Sequence, residues 1–286
     1  VRTDLAKEAW LDSGRIKGVA EEVALEGEIE ISSVTVTGKY ASERLDKPKG
    51  RYVTLTTAAE AFSDAKCRAH LARCTAEQLC RLMQGSVGSV MTAGLGNRKV
   101  TPDALGPKTV EHVFVTRHIL KHLPDMLPVG TREVTAFTPN VLGVTGMETA
   151  EVILGLIDVI RPEMVVVVDA LASSDMTHIG RVVQMNDSGI APGAGIGNFR
   201  KLISRESVGV PVIALGVPLV VSAQTIVREA VGPENLRGVS LGRIGDMIVT
   251  PKDIDALVAD SAKLLSQALN LCLHGENYAN LEALLE

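Results

Sequence analysis

The run "EMVVVVDALA", residues 163–172, decides the fold. Four consecutive valines are β-branched and apolar, so the strand they form has no face suited to water. A strand of that kind sits inside a parallel sheet covered by helices on both faces. The run meets an acid, and the strand is read over 164–169 with Asp169 closing it. In open parallel sheets, ligands and chemistry collect beyond the carboxyl ends of the strands, so a carboxylate there is a candidate for chemistry.

Outward from this run, a strand–loop–helix alternation repeats. "VGSVMTAG" (87–94) and "REVTAFT" (132–138) read as strands, with a helix over 106–123 between them. "TGMETAEVILGLIDVI" (145–160) reads as a helix opened by a capping box, Thr145 as N-cap and Glu148 three residues on. "GRVVQMN" (180–186) and "VPVIALGV" (210–217) are two more strands, and 222–231 a helix. In the last helix, Thr250 is the expected cap, Pro251 suits the first turn and Asp253 the positive end of the dipole. Its apolar stripe runs Ile254, Leu257, Val258, Leu265 and Leu269, and Gly275 ends it. Upstream, "EIEISSVTVT" (28–37) and "RYVTLTT" (51–57) alternate apolar and polar residues, which predicts an antiparallel ribbon over 28–57 on the sheet edge. The intervening 38–50 reads as a loop, and 58–84 as a helix. The reading is one α/β domain over 1–286, a mostly parallel central sheet with helices on both faces.

Composition agrees. Hydrophobic residues make up 46% of the 286, yet aromatics only 3%, so aliphatic side chains must fill the core. The formal charge is −5, and no basic tract interleaved with aromatics appears, which argues against direct nucleic-acid binding. No apolar run reaches the length of a membrane span, and the charged start is no signal peptide. Cys67, Cys74, Cys80 and Cys272 show no CxxC spacing and read as reduced thiols of an intracellular protein.

A second acid stands in "VMTAGLGNRKVTPDALGP", residues 90–107. Gly94, Gly96 and Asn97 follow an apolar run as in a phosphate-binding loop, but Asp103 stands where that loop would start its helix. A dinucleotide site is excluded on two counts. Lys99 occupies the third glycine position, and the 132–138 strand ends in Thr138 and Pro139 with no acid for a ribose. On the loop alone a phosphate site and a catalytic acid stand level. Asp169 moves the reading to chemistry, because the two carboxylates would share one cleft if their strands are neighbours or next-neighbours. One then retains a proton while the other activates water. Gly94 and Gly96 would let backbone approach a substrate and offer N–H groups to an oxyanion. A second glycine-rich stretch, "NDSGIAPGAGIGN" (186–198), places Gly193, Gly195 and Gly197 as candidates for lining a peptide cleft. His118 and His122 are four apart on a helix but lack a third ligand, so no metal is assigned. His178 is a weak candidate for the cleft.

Taken together, "GLGNRKVTPDALGPKTVEHVFVTRH", "GVTGMET", "VVVVDALAS", "NDSGIAPGAGIGN" and "GVPVIALGVPLVV" resemble the germination protease (spore protease) family of spore-forming Firmicutes. The likeness runs from Val1 to about Ser222 and resumes at "MIVTPKDIDALV". It implies an endopeptidase, made as a zymogen, that degrades small acid-soluble spore proteins in the spore core during germination. It also implies a homotetramer, a fold related to hydrogenase-maturation peptidases, no cofactor, and an atypical aspartic dyad matching Asp103 and Asp169. The sequence departs from the family in a short 222–247 segment, a shorter leader before "TDLAKEA", and "DALASS" where the family has "DALAAR". Thr3, Asp4, Leu5, Ala6, Lys7 and Glu8 match the family's substrate pattern, so residues 1–4 are a candidate propeptide with its cut between Asp4 and Leu5. The local alternative is a helix start capped by Thr3 or Asp4. Two other functions compete: a metal-dependent maturation peptidase of the same fold, with the acids and a histidine on a divalent ion, and a non-enzymatic peptide- or nucleotide-binding module.

Overall fold

The computed structural model describes residues 3–285 except 15, 59–60, 85–87, 198–199, 233–234 and 236–240. Val1 and Arg2 of the candidate propeptide and Asn198 of the second glycine-rich stretch therefore lie outside the described residues. In chain order the elements are α1 (Ala6–Ser13), β1 (Val19–Glu26), β2 (Ile29–Val36), α2 (Lys39–Leu45), β3 (Gly50–Thr56), α3 (Ala65–Leu82), β4 (Ser89–Gly94), α4 (Leu105–Val110), α5 (Arg117–His122), β5 (Glu133–Phe137), α6 (Leu142–Thr145), α7 (Thr149–Ile160), β6 (Met164–Ser173), β7 (Val182–Asn186), α8 (Arg205–Val208), β8 (Val212–Ser222), α9 (Ala223–Val231), β9 (Ile248–Val249), α10 (Ile254–His274) and α11 (Tyr278–Leu285).

One sheet joins the strands in the order β1-β2-β3-β7-β8-β6-β4-β5, with β9 paired to β8. The α/β half, β8-β6-β4-β5, is parallel throughout. The N-terminal strands extend it as an antiparallel ribbon, β3 docking on β7, which itself runs against β8. The ribbon thus has three strands, where the sequence marked two. β1 was missed because six of its eight residues are exposed, so burial imposes little pattern on it.

Alternation along β6 separates the two layers. Met164, Val166 and Val168 face α3 and α10, while Val165 and Val167 face α7 and α8. Asp169 continues the second series, so its carboxyl points to the α7 side of the sheet. On that same side of the ribbon, α1 and α2 pack Ala6, Ala41 and Leu45 against Val34, Val36 and Tyr52.

Several local expectations are corrected. The 106–123 helix is two helices, because residues 111–116 turn away to bond elsewhere. Phe114 N donates to Asn270 Oδ1 at 2.9 Å, and Thr116 Oγ1 accepts from Val134 N at 2.9 Å. The helix expected from 58 starts at Ala65, where Asp64 Oδ1 accepts from Cys67 N. The 38–50 loop contains α2. The capping box at Thr145 and Glu148 does not form: Thr145 ends α6, and Glu148 itself precedes α7 without a side-chain cap bond. Thr250 does not cap α10 either; its hydroxyl donates to Leu219 O at 3.0 Å, fastening β9 to β8. Cys80 and Cys272 are not free thiols but are joined as a disulfide between α3 and α10, whereas Cys67 and Cys74 are free.

Candidate active site

β4 and β6 are neighbours, and their register places Gly94 beside Val168. The chain leaves the sheet at Gly94, while β6 runs on to Ser173 because its far end keeps pairing with β8. Asp169 was expected to close its strand and does not; it lies just past the level where β4 stops, with β6 continuing to Ser173. That missing strand opens a cleft of about 470 Å³ lined by Gly96, Asp103, Asp169, Glu148, Gly193 and Arg200 among others. The N-terminal residue Asp4 lines it too.

The loop after β4 is folded onto its own acid. Gly96 has φ +108°, and a Cβ there would fall 2.0 Å from Asp103 O. A Cβ on Gly94 would fall 2.2 Å from Gly106 O. Both glycines thus permit the loop to close against Asp103 and the start of α4; Gly96 borders the cleft, while Gly94 packs below it. Asn97 N donates to Asp103 Oδ2 at 2.8 Å, which fixes the carboxylate. Burial raises the Asp103 carboxyl above its ordinary range, against the pull of that N–H.

Asp169 is 5% exposed, and its Oδ1 accepts from Ala170 N at 2.9 Å. Burial raises its pKa well above the ordinary aspartate value, and the Asp103 and Asp4 carboxylates push it the same way. Two acids in one cleft, both biased toward holding a proton, are the chemical requirement for a shared acid–base pair.

The N-terminal segment reaches this cleft at Asp4, just before α1 begins. Asp4 N donates to Ala172 O at 2.9 Å, and Ala172 N donates to Asp4 Oδ2 at 2.8 Å, so Asp4 is fastened to the end of β6 through its backbone N–H and its side chain. Gly195 gives the same carboxylate a backbone N–H, and a Cβ there would fall 2.3 Å from Asp4 Oδ2. Gln184 brackets the Asp4–Leu5 peptide: its Nε2 donates to Asp4 O at 2.9 Å and its Oε1 accepts from Ala6 N at 2.7 Å. Lys47 Nζ donates to Thr3 O at 2.7 Å. Leu5 is buried against Leu171, Val182 and Ile190, a burial that contributes about 2 kcal/mol. Neither Thr3 nor Asp4 caps α1; Leu5 occupies the cap position without a side-chain bond.

Glu8, buried on the next turn, accepts from Thr3 Oγ1, Ser173 Oγ, and the N–H and hydroxyl of Ser174, and pairs with His178 Nδ1 at 2.5 Å. These bonds hold Glu8 below the ordinary glutamate range despite burial, and Glu8 in turn raises His178. Sequence reasoning missed Glu8, Lys47 and Gln184. Only the sequence signal of Glu8, the last acid of the substrate-like run, was within reach. His178 lies with Glu8 rather than with the acid pair. His118 and His122 are exposed on α5, apart from the cleft. Among the described residues, no histidine or cysteine lines the cleft, so the histidine that a metal-guided peptidase would add to the acids is not among its lining residues.

Residues 3–233 match the family model described as germination protease. The chain is 37% identical to the germination protease of Clostridium perfringens strain 13, over 96% of this chain and 95% of that one. It is 34% identical to that of Clostridium acetobutylicum, with the same coverage, and 33% identical to that of Halalkalibacterium halodurans, over 99% of this chain and 93% of the other. Among solved structures, the NiFe hydrogenase maturation protease HycI from Thermococcus kodakarensis aligns over 67% of this chain and 98% of its own, at 16% identity and a TM-score of 0.38.

Proposed function

This chain belongs to the germination protease family, and from that premise we propose that it is an endopeptidase working through an aspartic pair, Asp103 and Asp169. The observation that carries the reading is the pair itself, two carboxyls raised by burial on one cleft that Asp4 of the N-terminal segment also lines. Asp169, the more deeply buried, holds the proton; Asp103, fixed by Asn97 N–H, is the base. Asp103 takes a proton from water as the water oxygen attacks the scissile carbonyl carbon. Asp169 gives its proton to the carbonyl oxygen. When the tetrahedral intermediate collapses, the proton on Asp103 passes to the leaving amine, and the hydroxyl proton returns to Asp169.

The substrates are small acid-soluble spore proteins, cut in the spore core after an acidic residue within an extended run. The docked Thr3–Glu8 segment supports that choice, since it offers the same residue pattern and is held to the end of β6 at Asp4. Gly193 and Gly195 border the groove, the latter against the Asp4 carboxylate. The chain is then a zymogen whose own cut falls between Asp4 and Leu5. A tetramer accounts for exposed apolar side chains such as Leu25, Val129 and Val159. Among the described residues, no helix is long and apolar enough to cross a membrane.

The test is incubation with a peptide containing Thr-Glu-Ile-Ala-Ser-Glu, read by mass spectrometry. The wild type cuts once after the acid, with or without chelator, and Asp103→Asn loses about a thousandfold or more in rate. Loss of activity on chelation, restored by a divalent ion, would favour a metal-guided peptidase instead.

A further inference from the structure

Away from the cleft, three metal-ligating side chains meet where the β1–β2 hairpin touches α3. Glu26 is the last residue of β1, and His70 and Cys74 stand four residues apart on one face of α3. One ligand atom from each of the three lies within 4.8 Å of the others. Cys74 Sγ is 3.9 Å from His70 Nε2, and the thiol hydrogen-bonds to the Glu26 carboxylate. We propose that Glu26, His70 and Cys74 form a zinc site, unconnected with the peptidase chemistry, that fastens the hairpin tip to α3.

The ligand types suit zinc. Thiolate, imidazole and carboxylate together are a borderline-soft set, and hard cations such as magnesium or calcium do not select it. A tetrahedral zinc with bonds of about 2.0–2.3 Å places its ligand atoms roughly 3.3–3.8 Å apart. Side-chain rotations bringing the three atoms together by about 1 Å therefore complete the site. Binding releases the thiol proton to solvent and leaves a Zn–S bond.

The scaffold is built around the spot. Cys74 is 1% exposed and packed in the core cluster with Leu71 and Leu79, so its position is fixed. Glu26 is held by its antiparallel partner Ile29, and the turn between them passes over the imidazole: a Cβ on Gly27 would sit 3.9 Å from His70 Nε2. Glu26 and His70 are only half-buried, which leaves an entry path and a fourth position for water. Glu77 adds a second negative charge near the thiol, and Arg73 a single positive one.

The experiment is zinc titration of chelator-stripped full-length protein, with Cys67 and Cys74 as free thiols and the Cys80–Cys272 bridge intact, by calorimetry, with cobalt as a spectroscopic probe. One zinc per chain, a thiolate-to-cobalt charge-transfer band, and a rise in Tm of roughly 5–10 °C at zinc a hundredfold above Kd are expected. Cys74→Ser and His70→Ala each weaken binding by at least about a hundredfold and abolish the Tm rise, while Cys67→Ser, which removes the exposed free thiol, changes neither. His70→Ala alters a half-buried residue and keeps the test open if Cys74→Ser fails to fold. No binding at micromolar zinc, equal affinity in His70→Ala, or loss of binding in Cys67→Ser overturns the assignment. None of these readouts uses peptide cleavage, so they stand apart from the peptidase reading.

Discussion

Replacing Asp169 with asparagine separates what the site costs from what it does. In the unfolded chain this carboxyl ionises near the ordinary value of 3.8, whereas burial, Asp103 and Asp4 hold the native pKa well above it. Between those two values the native state binds one proton more than the unfolded state. The stabilisation is whole below the unfolded value and is lost, at about 1.4 kcal/mol per pH unit, as pH rises through the window to the native value. Asparagine has nearly the same volume, its Oδ1 can still accept from Ala170 N, and it cannot ionise. Asp103 and Asp4 are present in both proteins, and because their repulsion with Asp169 is mutual, removing that charge lets them ionise more readily and adds to the same trend. Asp169→Asn should therefore gain on the wild type as pH rises, by about 1.4 kcal/mol per unit, or roughly 3 °C in Tm for a chain of this size. Urea and thermal melts of both proteins across mildly acidic to mildly alkaline buffers, with peptide cleavage measured in parallel, make the test. Stability curves that stay parallel would mean Asp169 ionises normally in the fold and is no proton donor. Cleavage retained in a well-folded variant would remove the acid pair altogether.

Two further outcomes follow from the same geometry. Gly96→Ala places a methyl 2.0 Å from Asp103 O at a φ of +108°, and should cost about 3 kcal/mol or more while displacing the loop that carries Asp103; a melt unchanged from the wild type would mean the loop does not close on Asp103. Light scattering at micromolar concentration should give four times the 30.3 kDa chain mass, and a monomer would leave the exposed Leu25, Val129 and Val159 without a covering surface.

Much of this was legible in the sequence, for reasons that differ by element. The valine run of β6 and the stripe of α10 announce themselves because burial on both faces, or along one stripe, leaves few alternatives. Asp103 and Asp169 were placed by their position past the parallel strands, and the fold brings both to one cleft. The precise end of β6 was not legible, since its last four residues depend on pairing with β8, where Ala170 meets Val217 and Ser173 meets Val221. The caps failed for a related reason. Thr145, Thr250 and Thr3 all carry the right side chain, but the Thr250 hydroxyl goes to Leu219 O, that of Thr3 to the Glu8 carboxylate, and that of Thr145 to Val141 O and Met147 O in its own turn. β1 was invisible because it buries almost nothing, and the Glu8 network because its partners are 165 to 170 residues away.

The docked N-terminal segment responds to acid in a direction its local sequence conceals. As a helix start, Asp4 would cap α1 and its protonation would loosen the segment. In the fold Asp4 is buried against β6, and burial raises its pKa even with Lys47 nearby. Docking is thus favoured by the protonated form, fully below the ordinary aspartate value, and the advantage is lost as pH rises through the docked value. His178, raised by Glu8, acts in the same sense: its contribution is present below the ordinary histidine value and lost as pH rises through the higher docked one. Glu8 sets the opposite limit, since its lowered pKa gives a contribution present above the ordinary glutamate value and lost as pH falls through the docked one. Lys47, lowered by burial, favours docking only as the medium becomes alkaline. Mild acid therefore holds the segment most firmly while Asp169 keeps its proton, so acid should promote self-cleavage by seating the substrate. The rate of appearance of a Leu5 N-terminus should rise from neutral to mildly acidic pH, be independent of protein concentration, and vanish in Asp103→Asn. Glu8→Gln, which removes the charge that four donors and His178 hold, should slow it and flatten its dependence on pH. Faster cleavage in Glu8→Gln would show that release, not docking, is the trigger.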